Sequence, residues 1–267
     1  MTLHITGGDI LAGRLFNIDL DGKILSWKEA LYEGHLSDYA NVQESGRQAF
    51  NRNRATFISS RGWGDAEKVF RSMNNRDLLL LSPYWKEVVL WLEHDLSDQL
   101  CMAQVITLLQ RSGRLHRLDV RYASAEKPFS YYTDSELHLF SQSPRAVTPT
   151  LANMYVSFWE YVCGSRHQQA TYADHGVLHR AARQWELLQP ADDGLSAFDR
   201  HVIEVVHKYN ELRIDVLLQI LNAENGYAAF WTEMLFVSRV HDLVQRTPAL
   251  QTVDNIVKYS NQTVADA

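Results

Sequence analysis

Apolar and polar positions follow two periods in the first half of the chain. Leu3 and Ile5 fall on one side of a short extended run with His4 on the other, which predicts a strand over 3–6. Gly7-Gly8-Asp9 reads as a turn, residues 10–16 as a short helix, and Asp21-Gly22 as a turn before a second strand at 23–27. A long polar helical stretch at 37–60 carries Tyr39, Val42, Ala49, Phe50 and Phe57 as its apolar positions. Gly62-Trp63-Gly64 breaks it, and Asp65 reads as the N-cap of a helix bearing Val69, Phe70 and Met73. Residues 88–92 form an apolar, β-branched run, the expected central strand, with its helix at 96–111 and a fourth strand at 115–122. Strands alternating with helices predict an α/β fold with an open, mostly parallel, Rossmann-like sheet.

After residue 124 the patterns turn helical. Residues 148–163 present Tyr155, Phe158, Trp159 and Val162 on one side, and a further helix is expected over 171–188. Pro190-Ala191-Asp192-Asp193-Gly194 reads as a linker, and Ser196 as the N-cap of a helix through 208. Helices at 214–221 and 228–246 and an apolar tail at 250–253 complete an all-helical region ending in a winged-helix-like module. The expected organisation is an α/β domain at 1–124, a helical extension at 125–190 and a small helical, winged-helix-like domain at 191–267.

Composition narrows the function classes. The 267 residues are enough for one or two domains with a substantial core, and 46% hydrophobic with 22% charged residues fits a globular protein. The net charge of −6 disfavours general nucleic-acid binding, which needs a basic footprint. Cys101 and Cys163 are far apart, so neither a disulfide framework nor a zinc knuckle is expected. The start lacks a basic segment followed by an apolar one, and no apolar run nears the roughly 18 residues that span a bilayer. A cytoplasmic location away from membranes is the expectation.

The central strand ends abruptly in Glu93, His94 and Asp95, with Asp98 in the first turn of the next helix. In open parallel sheets ligands sit outside the carboxyl ends of the strands. A carboxylate–imidazole cluster there suits general acid–base work by His94, Asp95 and Glu93, or a divalent metal. The same placements also suit a plain structural role, with Asp95 capping the helix and Asp98 favouring its dipole. His4, Gly8, Asp9, Asp98, Gln99 and Arg145 are the candidate ligand contacts. If the first and third strands are neighbours, His4, Asp9, Glu93 and His94 converge on one crevice. His4 is equally readable as a satisfied core histidine, and Asp9 as the N-cap of the helix it precedes. Arg145, expected in a loop between Pro144 and a helix, could clamp a phosphate or carboxylate, or form a structural ion pair.

The segments His4-Ile5-Thr6-Gly7-Gly8-Asp9 and Ser26-Trp27-Lys28-Glu29-Ala30-Leu31 resemble the opening of a bacterial family known as domain of unknown function 1835. The run from Leu90 through Glu93-His94-Asp95-Leu96-Ser97-Asp98-Gln99-Leu100 is similar to that family's most distinctive stretch, and Arg145-Ala146-Val147-Thr148 with Trp159 to a later one. Asp193-Gly194-Leu195-Ser196 resembles the small C-terminal domain found with it. Glu29 and His35 depart from the family's usual Asp and Pro. The resemblance implies an α/β fold and supplies no reaction.

Other chemistry lacks its motif. Ser59 and Ser60 lie in no Gly-x-Ser-x-Gly elbow, His175 and His179 in no HExxH, and the Gly-Gly turn lacks GxGxxG. Trp27, Trp63, Trp91, Trp159 and Trp231 read as core. From Asp193 onward six Lys and Arg face ten Asp and Glu, so the helix at 228–246 suits packing better than groove reading. Two functions stay open. One is an α/β protein binding a small polar ligand, nucleotide-like or phosphorylated, with acid–base or metal-assisted chemistry. The other is a non-catalytic regulatory or scaffold protein whose C-terminal helices bind a protein partner or a second copy. No motif names a cofactor.

Overall fold

A computed structural model describes residues 1–39, 43–123, 125, 127–164, 175–225 and 233–260. The chain divides into two compact units, residues 1–182 and 183–267. In the first, β1 (Thr2–Thr6), β2 (Lys23–Ser26), β3 (Glu87–Trp91), β4 (Asp119–Tyr122) and β5 (Arg145–Ala146) form one sheet in the order β2-β1-β3-β4-β5. The first four strands run parallel, and β5 lies antiparallel on β4. The helices are α1 (Asp9–Asn17), α2 (Glu44–Ser60), α3 (Ala66–Leu80), α4 (Leu96–Arg111), α5 (Asp134–Gln142) and α6 (Pro149–Val162), and α7 (Gly176–Leu188) carries the boundary between the units.

Register explains the two faces. Leu3 pairs with Val88 and Ile5 with Leu90, while His4 pairs with Val89 and Thr6 with Trp91. Residues paired in a parallel ladder share a face, so the first set faces one side and the second set the other. The His4 side packs a core of Leu15, Val89, Trp91, Phe129 and Leu137 beneath α1 and α5. Because β3 is covered on both faces it reads as an unbroken apolar run. Beyond it, α4 is buried along almost its whole length and packs on α6. Each fully buried Leu or Ile there stabilises the fold by about 1.5–3 kcal/mol.

Several starts and stops follow from side-chain caps. The Asp65 carboxylate accepts the Lys68 amide at 2.9 Å and opens α3, Asp95 opens α4, and Ser196 opens the first helix of the second unit. Such caps contribute about 1 kcal/mol each. Gly22 holds φ at +134°, where a side chain would strike the Thr2 carbonyl, so the turn closes tightly on β1.

The structure corrects four local readings. The helix expected from residue 37 starts at Glu44, because Asp38 forks onto Arg111 at 2.7 and 2.9 Å and accepts the Trp159 indole N–H at 3.0 Å. The strand expected over 115–122 is a 3-10 turn at Leu115–Arg117 followed by β4. Arg145 lies in β5 rather than in a loop. Trp63 is half-buried, edge-on to Phe57 at 5.8 Å, while Trp27, Trp91 and Trp159 are fully buried. Val42, His167, Trp231 and the helix starts expected at 171 and 228 lie outside the described residues.

In the second unit α8 (Ala197–Tyr209), β6 (Glu211–Arg213), α9 (Ile214–Asn225), α10 (Glu233–Arg246), β7 (Leu250–Val253) and β8 (Ile256–Tyr259) follow in order. The strands form an antiparallel sheet β6-β8-β7. The expected tail is thus a hairpin, turned by Asp254 and Asn255 at positive φ. Phe198, Val206, Leu217, Leu221, Phe236 and Val257 fill its core. Among the described residues no helix is long and apolar enough to cross a membrane.

Candidate functional site

The chain runs from β1 to β2 on one side, while β3 lies on the other, so the strand order reverses between β1 and β3. Reversals of this kind open a crevice at the carboxyl ends of the two strands. Here Gly7-Gly8 after β1 and residues 92–98 after β3, the run singled out in the sequence, stand side by side at that reversal.

That run is cross-braced. The Glu93 amide donates to Asp98 Oδ2 at 2.7 Å, and the Asp98 amide donates to Asp95 Oδ1 at 3.1 Å. The Phe129 amide donates to Glu93 Oε1 at 2.7 Å. Gln99 donates to the Glu93 carbonyl and accepts the Tyr155 hydroxyl at 2.7 Å, so both ends of its buried amide point into the protein. Asp98 also lies against Gly7, leaving no room there for a side chain.

Burial outweighs these amides electrostatically. It pushes the Glu93 carboxyl up, against the pull of the Phe129 amide. It raises Asp95 against the amides of Asp98 and Ser97. Asp98 rises furthest, through burial and then the charges of Asp95 and Glu93. Three neighbouring carboxyls thus hold protons more tightly than free carboxylates do. Among the described residues no group of three or more His, Cys, Asp or Glu is arranged to hold a metal ion.

His94 lies outside this braced cluster and is exposed. Partial desolvation lowers its pKa, followed by the charges of Arg180 and His175. His175 sits just before α7, accepts the Leu178 amide at 3.4 Å and stands edge-on to the Tyr155 ring at 6.3 Å. One permanent cation, Arg180, and two imidazoles of lowered pKa thus neighbour one another beside the acidic group. Sequence reasoning set His175 aside for lack of a metal motif and passed over Arg180, because their approach to His94 is tertiary.

The remaining candidates divide. His4 is buried in mid-strand, accepting the Trp91 indole N–H on Nδ1 at 3.1 Å, with Nε2 3.2 Å from the Asp21 carbonyl. That pairing fixes the neutral Nε2–H form, and burial lowers its pKa. Its ring is held in the core, not in the crevice. Asp9 does not cap α1, whose N-cap is Gly8 with no side-chain cap. It is instead exposed and pairs with Lys28 at 2.5 Å, which lowers its pKa. Gly8 stands at the mouth, with open space where a side chain would project. Arg145 is exposed on β5, two strands from β3 and so about 10 Å from it. The fold does not gather it with the Glu93–Asp98 group.

A cleft of about 360 Å³ opens beside the crevice, past the end of β2. Asp9, Ser26, Lys28, Ser72, Asn75 and Arg76 give it its polar wall. Behind it lies a buried charge network absent from the sequence reading. Glu29 accepts Arg54 Nε and Arg76 Nη1, each at 3.0 Å, and Arg76 also grips Asp77 at 3.1 Å. Arg76 stacks on Trp27, its guanidinium carbon 3.9 Å from the ring centre. The Trp27 indole donates to Gln104 at 2.7 Å, and Gln104 in turn donates to Tyr39. One signal was available: Arg54 shares the helix stripe of Phe50 and Ile58, and Arg76 that of Met73 and Leu80.

Comparison with protein-family models, with curated proteins and with solved structures finds no match to this chain.

Proposed function

We propose that this protein binds a small polar ligand, nucleotide-like or phosphorylated, at the carboxyl ends of β1 and β3, and handles a proton there. The observation that carries the reading is the reversal of strand order between β1 and β3, which brings Gly7 against Asp98, one of three neighbouring carboxyls with raised proton affinity. A carboxyl with raised proton affinity can act as a general acid, and the exposed His94, whose pKa is lowered by partial desolvation, as the matching base. Glu93, Asp95 and Asp98 would hold the proton, with Gln99 as a positioning residue through Glu93. The strand order supports reading the sheet as Rossmann-like. The likeness of residues 93–100 to domain of unknown function 1835 agrees with it but adds no reaction.

A second reading is a regulatory or scaffold protein whose C-terminal module binds a protein partner. The order α8-β6-α9-α10-β7-β8, with its short antiparallel sheet, supports a winged-helix-like module. Arg239 of α10 forks onto Asp199 at 2.9 and 3.0 Å, so this cation is engaged within the module rather than facing phosphates. Met234 and Val253 are exposed on the same unit, which favours protein over nucleic acid.

A thermal-shift panel of nucleotides and sugar phosphates on wild type and His94→Ala separates the two. A ligand bound only by the native state raises Tm once its concentration exceeds Kd. A shift in wild type that disappears in His94→Ala supports the ligand reading. No shift across the panel overturns it in favour of the partner reading.

A further inference from the structure

We infer that the phosphoryl group of this ligand seats in the cleft past β2, on Lys28 and Arg76, while Asp9 accepts a hydroxyl of the same molecule. The inference rests on the ligand reading above and names the subsite. A phosphate has two places to go at this edge. At the turn after β1 the space over Gly7 is filled by the Asp98 side chain, and among the described residues no cation lines it. The cleft is open and is lined by two cations, Lys28 and Arg76.

Arg76 is nearly buried, with 5% of its side chain open, and is held flat by Glu29, Asp77 and Trp27. A guanidinium has five N–H donors, and the bonds through Nε, Nη1 and Nη2 leave each Nη one N–H more. A fork fixed in this way loses little freedom when it binds an oxyanion. Lys28 lies about 20 residues past Gly8, at the end of β2. In nucleotide-binding α/β sheets an acid at that position takes a ribose hydroxyl, whereas a cation nearby accommodates a phosphate. Lys28 now holds Asp9 in an exposed pair, with side chains 62% and 65% open. Such pairs are weak. A phosphate can therefore take Lys28 from Asp9, and the released carboxylate is free to accept a sugar hydroxyl. Ser26, Ser72 and Asn75 complete a polar wall around a volume suited to a sugar phosphate.

The test is isothermal titration of the full chain with ribose 5-phosphate, adenosine 5′-monophosphate, ribose and inorganic phosphate. Wild type is compared with Lys28→Ala, Asp9→Asn and His94→Ala, and the first two lie at exposed positions that do not threaten the fold. The expected result is that Lys28→Ala weakens both phosphorylated ligands about tenfold or more and leaves ribose unchanged, while Asp9→Asn weakens ribose as well. Phosphorylated ligands that bind wild type, ignore Lys28→Ala and fail on His94→Ala would overturn the cleft and leave the crevice reading standing. Failure of every phosphorylated ligand to bind wild type would overturn both.

Discussion

The Asp98 carboxylate fills the space that a side chain at residue 7 would need. A β-carbon on Gly7 would sit 2.8 Å from Asp98 Cγ, so the end of β1 and the first turn of α4 are in direct contact. Any larger residue at position 7 must displace the group that also receives the Glu93 amide. Gly7→Ala is expected to lose about 1–3 kcal/mol, as overpacked sites do. Combined with Asp98→Ala it should lose less than the sum of the two single changes. Urea unfolding of the four-member cycle measures that coupling, and strict additivity would refute the contact.

Asp98 should prefer to be neutral. A carboxyl whose folded pKa is raised contributes stability that is complete below its unfolded value and is lost as pH rises through the folded one. Asp98→Asn keeps an oxygen for the Glu93 amide and removes the ionisation. Its stability relative to wild type should therefore improve as pH rises from about 4 to about 8. Asp98→Ala should follow the same trend but lie about 1–3 kcal/mol below Asp98→Asn at each pH, because the Glu93 N–H is left without its acceptor.

His4 has the opposite sign. Its folded pKa is lowered, so the unfolded chain takes up a proton that the folded chain refuses. Stability is unaffected above the ordinary histidine value of 6.5 and falls as pH drops below it. His4→Gln can still meet the Trp91 indole and the Asp21 carbonyl. Chemical denaturation at about pH 7.5 and about pH 5.5 should show a smaller loss in that variant than in wild type.

Much of the fold could be read because its determinants are local. The bounds of α4 follow from Asp95 as cap and the apolar run behind it, and the caps at Asp65 and Ser196 are equally short-range. The site was legible only at its acidic end, where sequence neighbours are also spatial neighbours. His4 meets Trp91 across 87 positions and Arg76 meets Glu29 across 47, distances over which charge patterning carries no signal. A polar helix such as α2 looks solvated until a carboxylate from another loop, Glu29, is seen to receive its Arg54.

The Glu29 network should be costly to break. Glu29 neutralises two arginines, and removing one member of a buried set leaves uncompensated charge. Glu29→Gln is expected to cost about 3–5 kcal/mol in urea unfolding. A loss below about 1 kcal/mol would mean that Arg54 and Arg76 find water or other partners.

In the second unit Asp199 is buried beside Ser196 and Arg239. Arg239→Lys keeps the charge but not the fork, and should lower the thermal midpoint of that unit by several degrees for about 1–2 kcal/mol. Unchanged melting would show that one contact suffices.

The burial of α4 along nearly its whole length has a mechanical consequence. A helix enclosed by a sheet and by α6 cannot slide or tilt without disturbing the close packing on every side. Asp95 and Asp98 are anchored to that helix, so they form a stationary anvil beneath the crevice. Whatever yields when a ligand arrives must lie on the opposite bank, in the exposed Lys28–Asp9 latch, where a small torsional swing of two side chains disturbs no core.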